Sequence, residues 1–355
     1  MKLILLGCTP PPVGGIAQWT MRMLNSKLKN NWTIDLVDEK MIGGRESFGD
    51  HTKKNYLIEF KRWRNIWHTL NSKLKDNDAQ VVHACVIASN SSMLANYVSA
   101  FLTKKHKKKF ILHFRCTVPN MVNTFYGRLI LKSICKISDN IIVLNSQSKR
   151  YLEQYTKTPV QIVPNFIDSV ELNLEKRKIN SDIKTITYVG GCIKEKGCLD
   201  IINVAKVLPN IQFNLVGKAS EEVIKAADGV NNIKLKGLLN QNDVKKELDS
   251  TDVFIFLSKF WGEGFSNALA EAMGVGLPCI VSDWAANADM IEDEKGGFVV
   301  ENIDVETVKE TILAMEDVNL RQKFSIFNLQ KVKKEYTSRV ILDKYVDIYE
   351  TVLKG

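Results

Sequence analysis

Short runs of aliphatic and β-branched residues alternate along the whole chain with longer segments of helical period. The first half carries KLILLG (2–7), TIDLV (33–37), QVVHAC (80–85), FILHF (110–114) and NIIVL (140–144). The second half repeats the scheme with TITYVG (185–190), QFNLVG (212–217), NIKLKG (232–237), DVFIFL (252–257) and PCIVSD (278–283). Strands that alternate with helices predict an α/β fold with parallel sheets covered on both faces. At ~100–200 residues per domain, a chain of this length predicts two doubly wound, Rossmann-like domains. We place the first at 1–168 and the second at 169–338. The boundary follows VPNFIDSV (163–170), because Pro164 and the polar run through Lys178 and Asn180 suit a linker. The last helical pattern, 339–355, has no strand after it and is expected to pack back on the first domain. Two such domains facing each other would form a cleft. Ligands of doubly wound sheets lie beyond the carboxyl ends of the strands, so the loops after the strands carry the chemistry.

The loop after the first strand reads Cys8-Thr-Pro-Pro-Pro-Val-Gly14-Gly15-Ile16. Paired glycines let backbone approach a ligand closely, and a following helix offers free N–H groups. A plain tight turn accounts for the same residues, and the dinucleotide spacing G-x-G-x-x-G is absent. In the second half, Gly190-Gly191-Cys-Ile-Lys194-Glu-Lys196-Gly197 again joins strand to helix. Lys196, just before a helix start, is placed either to hold a phosphate or simply to be solvated.

After DVFIFL comes a loop, and then a helical pattern from about Gly264 to Met273, with Glu263 at its start and Glu271 two turns in. Eight helical residues span ~12 Å, and the two carboxylates would be turned ~80° apart. Carboxylate pairs that hydrolyse one glycosidic bond stand roughly 5–9.5 Å apart. The pair is therefore better suited to the two ends of an elongated anionic ligand, with phosphates at the helix N-terminus between them. A sugar joined to a nucleoside through two phosphates has that shape. The alternative is that Glu263 complements the helix dipole and Glu271 is surface charge.

Glu263-x7-Glu271 with the turn Gly274-Val-Gly276-Leu-Pro278 resembles the E-x7-E motif of the family-four retaining glycosyltransferases, which have the GT-B fold. The resemblance runs over nearly the whole chain. It includes Pro-Pro-Val-Gly14-Gly15, Val163-Pro164-Asn165, Lys196-Gly197, Asp252 to Ser258 and Gly296-Gly297-Phe298. It implies that Glu263 binds hydroxyls of the donor sugar and Glu271 those of the ribose. Lys196 and the backbone at Gly264, Phe265 and Ser266 would hold the pyrophosphate, and Gly14 and Gly15 would line its side of the first domain. His113, ending FILHF, matches a histidine near the reacting sugar that donates a hydrogen bond; a satisfied strand-end histidine is the other reading. His83 reads as structural.

The chain departs from that pattern twice. Gly191 stands where the family has an arginine, so one phosphate cation is missing, with Lys194 a candidate to supply it. Ala285-Ala286-Asn287-Ala288-Asp289 replaces Gly-Gly-x-Pro-Glu, so the donor sugar does not carry over. No cofactor is implied, and no metal: the D-x-D run Asp76-Asn77-Asp78 precedes a strand, away from the cleft, and no His/Cys/Asp cluster has ligand spacing.

Charge adds a partner. Residues 1–168 hold 25 Lys and Arg against 11 Asp and Glu, hence +14, whereas 169–355 hold 24 against 29, hence −5. Tyr56–Leu74 and Met121–Lys136 mix apolar and basic residues at helical spacing, with Arg128, Lys132 and Lys136 at i, i+4 and i+8. Either these helices lie on an anionic membrane surface or they are core helices with a solvated face. No apolar run reaches the ~18 residues of a span. Seven cysteines without a C-x-x-C pair or an export signal fit reduced thiols in the cytoplasm. The expected protein is a retaining glycosyltransferase, peripheral on the inner face of the cell membrane. It would move a sugar from a nucleotide-sugar donor to a glycan or lipid-linked acceptor in surface polysaccharide biosynthesis. The alternatives are a nucleotide-sugar epimerase on the same fold and a basic nucleic-acid-binding protein; no nucleic-acid motif accompanies the lysines.

Overall fold

The computed structural model describes residues 1–11, 14–40, 56–76, 78–167 and 177–355. They form two compact units, one of Met1–Asn165 with Ile341–Gly355 and one of Phe166–Val340. The boundary expected after residue 168 falls outside the described residues, as does residue 77 of the D-x-D run.

The first unit holds six strands, β1 (Lys2–Gly7), β2 (Thr33–Asp38), β3 (Val81–Val86), β4 (Lys109–Phe114), β5 (Asn140–Val143) and β6 (Val160–Ile162). They pair in parallel in the order β2-β1-β3-β4-β5-β6. Its helices are α1 (Gly15–Asn25), α2 (Tyr56–Asp76), α3 (Asn90–Lys105), α4 (Phe125–Ile137) and α5 (Ser146–Glu153), joined by the end of the C-terminal helix α13 (Ser338–Lys354). Side chains alternate across the sheet. Val82, Ala84, Val86, Phe110, Leu112 and Phe114 pack into one core with Leu70 of α2, Met93 of α3 and Leu131 of α4. The other face turns His83 and His113 toward Trp19 of α1 and Tyr345 of α13. Ser89, Thr124 and Asn145 start α3, α4 and α5 by accepting a first-turn N–H, caps worth ~1 kcal/mol each.

The second unit repeats the plan with β7 (Thr185–Val189), β8 (Gln212–Val216), β9 (Ile233–Gly237), β10 (Val253–Phe256), β11 (Cys279–Ser282) and β12 (Gly297–Val300). The parallel order is β12-β11-β10-β7-β8-β9. Between and after the strands run α6 (Cys198–Val207), α7 (Glu221–Ala227), α8 (Gln241–Asp249), α9 (Asn267–Gly274), α10 (Asn287–Ile291), α11 (Val305–Ala314) and α12 (Val318–Glu335). Phe213, Phe254, Ile255, Leu269 and Ile280 are fully buried at its centre.

In each sheet the strand order reverses once, between β1 and β3 in the first unit and between β7 and β10 in the second. Loops diverge at such a point and leave a crevice at the carboxyl ends of the two strands. The ten strands expected from the sequence match the structure to within a residue at each end, and the structure adds the short strands β6 and β12. Among the described residues, no helix is long and apolar enough to cross a membrane.

Candidate active site

The crevice of the second unit is built from the loops after β7 and β10. The first descends into a single 3-10 turn, Lys194–Lys196, that closes on Gly197 at φ +79. A Cβ on Gly197 would lie 2.4 Å from the Leu257 carbonyl oxygen, so only glycine lets the turn seat against the end of β10. A backbone bond from Lys259 N to Glu195 O, 2.9 Å, joins the two loops. Lys196 Nζ then stands 3.3 Å from Glu263 Oε2 and 5.4 Å above the Phe260 ring. These two residues of opposite charge, 67 positions apart in the sequence, meet across the switch point.

The helix after β10 starts later than the sequence suggested. Ser266 Oγ accepts the Leu269 N–H at 3.2 Å, and α9 begins at Asn267. Gly264, Phe265 and Ser266 form its buried approach, and Phe265 packs edge-on against Tyr336. Glu263 therefore lies ahead of the helix, and the helical angle drawn between it and Glu271 does not apply. Glu271 sits half-buried in the second turn of α9. The positive end of the α9 dipole is at the loop that bears Glu263.

In the first unit, Gly14 is the N-cap of α1, in extended backbone and without a side-chain cap. A Cβ built on Gly15 would meet nothing within 4 Å, so packing does not demand glycine there. Residues 12 and 13 of this loop lie outside the described residues.

His113 is fully buried, and both ring nitrogens are engaged. Nδ1 is 3.0 Å from His83 Nε2, and Nε2 is 3.1 Å from Arg115 Nη1. A guanidinium only donates, so Nε2 of His113 accepts and Nδ1 carries the proton. His83 Nε2 then accepts in turn, and His83 Nδ1 donates to Tyr349 Oη at 2.7 Å. The chain ends at Arg115 Nη2, which donates to Asn165 Oδ1 at 2.6 Å, and the guanidinium lies 4.4 Å over the Trp19 ring. Burial, with Arg115 adding to it, lowers His83 to about 3 and holds His113 well below the ordinary histidine range. Both imidazoles are neutral at pH 7. A hydrogen bond from His113 to a sugar requires one of these partners to give way.

Among the described residues, one group has the closeness of metal ligands: His83, Cys85 and His113, whose ligand atoms lie within 4.8 Å of one another. Linear spacing conceals it, because Cys85 and His113 meet by register across β3 and β4. The imidazoles already bond each other, and the Arg115 guanidinium beside them repels a cation. The signal for Arg115 is the alternation His113-Phe-Arg115, which sends both polar side chains off the strand end on one face.

Residues 169–328 match the family described as "Glycosyl transferases group 1". The "Capsular polysaccharide biosynthesis glycosyltransferase CapM" of Staphylococcus aureus is 25% identical over 197 residues, 53% of this chain and 51% of that one. The match thus spans about half the length of that relative. The "UDP-Gal:alpha-D-GlcNAc-diphosphoundecaprenol alpha-1,3-galactosyltransferase" of Escherichia coli is 25% identical over 273 residues, covering 65% of this chain and 69% of that one. Among solved structures, sucrose-phosphate synthase from Thermosynechococcus elongatus aligns with a TM-score of 0.79 at 15% identity over 99% of both chains. The fold is that of the GT-B proteins, with two Rossmann-like units.

Proposed function

We propose that the protein is a retaining glycosyltransferase that moves a sugar from a nucleotide-diphosphate sugar to a glycan or lipid-linked acceptor in surface polysaccharide synthesis. The observation that carries this reading is the meeting of Lys196 and Glu263 at the β7/β10 switch point, beside the start of α9. A cation and a helix N-terminus suit a pyrophosphate, and a carboxylate next to them suits the hydroxyls of the sugar it carries. Glu271, one loop and two turns further on, is assigned the ribose. Gly14 and Gly15 would admit phosphate oxygens close to the N-terminus of α1. The resemblance in sequence to transferases of capsule and diphosphoundecaprenol-linked sugars supports the acceptor class.

In the reaction, the glycosidic bond to the diphosphate breaks and a bond to the acceptor oxygen forms on the same face of the sugar. The acceptor proton leaves with the phosphate. Lys196 and the α9 amides stabilise the charge that develops on the departing oxygen. No step draws on a bound metal. We further place the protein at the inner face of a membrane, held by the basic, partly apolar surface of its first unit.

The test is a thermal-shift screen of nucleotide sugars, followed by measurement of donor hydrolysis and of transfer to acceptor. A shift with one nucleotide sugar and slow release of its sugar with unchanged configuration at the anomeric carbon supports the reading. Release of an epimerised sugar from donor alone, or binding of RNA with no response to any nucleotide sugar, overturns it.

A further inference from the structure

Outside the residues already assigned, one side chain ties the site together. The loop after β11 reads Asp283-Trp284-Ala285-Ala286, and Ala285 holds φ +55. That is left-handed backbone, which a residue with a Cβ seldom adopts unless its surroundings impose it. Trp284 N bonds Ser282 O at 2.8 Å, and Asn287 N bonds Trp284 O at 3.0 Å, which closes a tight turn around the indole. The indole Nε1–H is aimed at the neighbouring loop and donates to the Phe260 carbonyl at 2.7 Å. That same carbonyl accepts the backbone N–H of Glu263 at 3.0 Å. The Phe260 ring lies beneath the Lys196 ammonium. Just upstream, Ser282 Oγ donates to Ser258 O at 2.6 Å, and Ser258 Oγ accepts the Phe260 N–H at 3.2 Å. The β11 loop thus grips the β10 loop at two points, and the second grip is on the peptide from which Glu263 hangs.

We propose that Trp284 is a positioning residue for the transfer reaction: its indole N–H fixes the Phe260 carbonyl, and through it the place of Glu263 against the donor sugar. This rests on the glycosyltransferase reading above. A carbonyl oxygen has two lone pairs, and here both are used, one by Glu263 and one by Trp284. Without the indole donor the peptide can tilt about the remaining bond, and Glu263 moves with it. The nucleotide end of the site, at Glu271 on α9, is untouched. Loss should therefore fall on turnover rather than on binding.

Trp284→Phe keeps the ring and removes the donor. We expect kcat for donor hydrolysis or transfer to fall by about tenfold or more, since small misplacements of a reacting group are costly. Donor KM and the affinity for free nucleoside diphosphate should stay within about twofold. In a Glu263→Gln background the same change should add no further loss, because the residue acts through Glu263. Trp261→Phe, at an exposed position in the same loop, is the control and should match the parent. Parent-like kcat in Trp284→Phe overturns the proposal, and so does a loss that simply multiplies in the Glu263→Gln background. Should Trp284→Phe fail to fold, Trp284→His retains a ring donor and carries the test. Turnover near the parent's then supports the assignment, and a tenfold fall overturns it. A parent that turns over no nucleotide sugar defeats the glycosyltransferase reading and this one with it; an active parent with an indifferent Trp284 defeats this one alone.

Discussion

The Lys196 ammonium and the Glu263 carboxylate are partners in one ion pair, both mostly shielded from solvent. In the proposed reaction they divide, Lys196 to the diphosphate and Glu263 to the sugar. Glu271, on the helix beyond, has no share in that exchange. The two glutamates should accordingly fail in different ways. With Glu271 on the ribose as proposed, Glu271→Ala would remove a charge-assisted hydrogen bond worth ~1.5–3 kcal/mol, so the dissociation constant for a free nucleoside diphosphate should rise by roughly 10- to 150-fold. Glu263→Ala should lower kcat, because its proposed contact is to the reacting sugar, and should leave that constant unchanged or lower, because Lys196 is freed from its ion pair. Calorimetric titration with nucleoside diphosphate, paired with turnover of the full donor, checks the division. Equal loss of nucleotide affinity in both variants would refute it.

At the scale of elements, the junction of β3, β4 and α13 has a property that pH exposes. His83 and His113 are held neutral by burial, with folded-state values below the ~6.5 of an unfolded histidine. Between pH 6.5 and about 3, the value to which His83 falls, the unfolded chain therefore binds more protons than the folded one. The stabilisation is complete above pH 6.5 and is lost as pH falls, at up to ~1.4 kcal/mol per pH unit for each histidine. Urea unfolding at pH 7.5 and pH 5 should show this decline, and His83→Gln should flatten it. A variant with the parent's slope would show that these imidazoles do not govern the acid limb. This junction was not legible in the sequence, since His83 and Tyr349 are 266 positions apart and no local period announces their contact. Most of the ten strands that were legible are apolar runs bounded by turn residues, and β2 and β9 instead alternate apolar with polar or charged positions. β6, a three-residue edge strand with Gln161 at its centre, has too few apolar positions to stand out, and β12 offers only Phe298-Val-Val after its glycine. Lys196 and Glu263 each stood out as motif residues, but no local pattern announced the ion pair between them, 67 positions apart. The late start of α9 was not legible: Gly264-Phe265 continues an amphipathic pattern, and only the Ser266 cap decides where the helix begins.

Over the whole molecule, charge divides between the two halves of the chain. Residues 1–168 carry +14 and the remainder −5. On the first unit, α3 packs against both α2 and α4, so the three helices form one surface layer. Arg128, Lys132 and Lys136 of α4 are all exposed, and at the start of the same helix Phe125 and Tyr126 are 66% and 74% exposed. Leu129 of α4, Leu94 and Phe101 of α3 and Phe60 of α2 are exposed as well. On α2 the basic face is thinner than the sequence suggested, because Arg62 is buried against Glu59 and the Glu39 carbonyl. Cations beside exposed aromatic side chains are what a helix needs to lie in an anionic interface. Each Lys or Arg near such a leaflet contributes ~1 kcal/mol, an attraction that decays within a Debye length of ~8 Å at physiological salt. Binding should therefore be reversible and weaken as salt rises. Reversing Arg128, Lys132 and Lys136 to glutamate should release the protein from vesicles containing anionic lipid, as read by co-sedimentation, while nucleoside diphosphate affinity stays at the parent's value. Phe125→Ser with Tyr126→Ser should weaken binding at high salt as well, where charge contributes least. If the charge-reversed protein sediments with the vesicles as fully as the parent, or the parent ignores anionic lipid, then α4 is a solvated helix and the membrane placement falls.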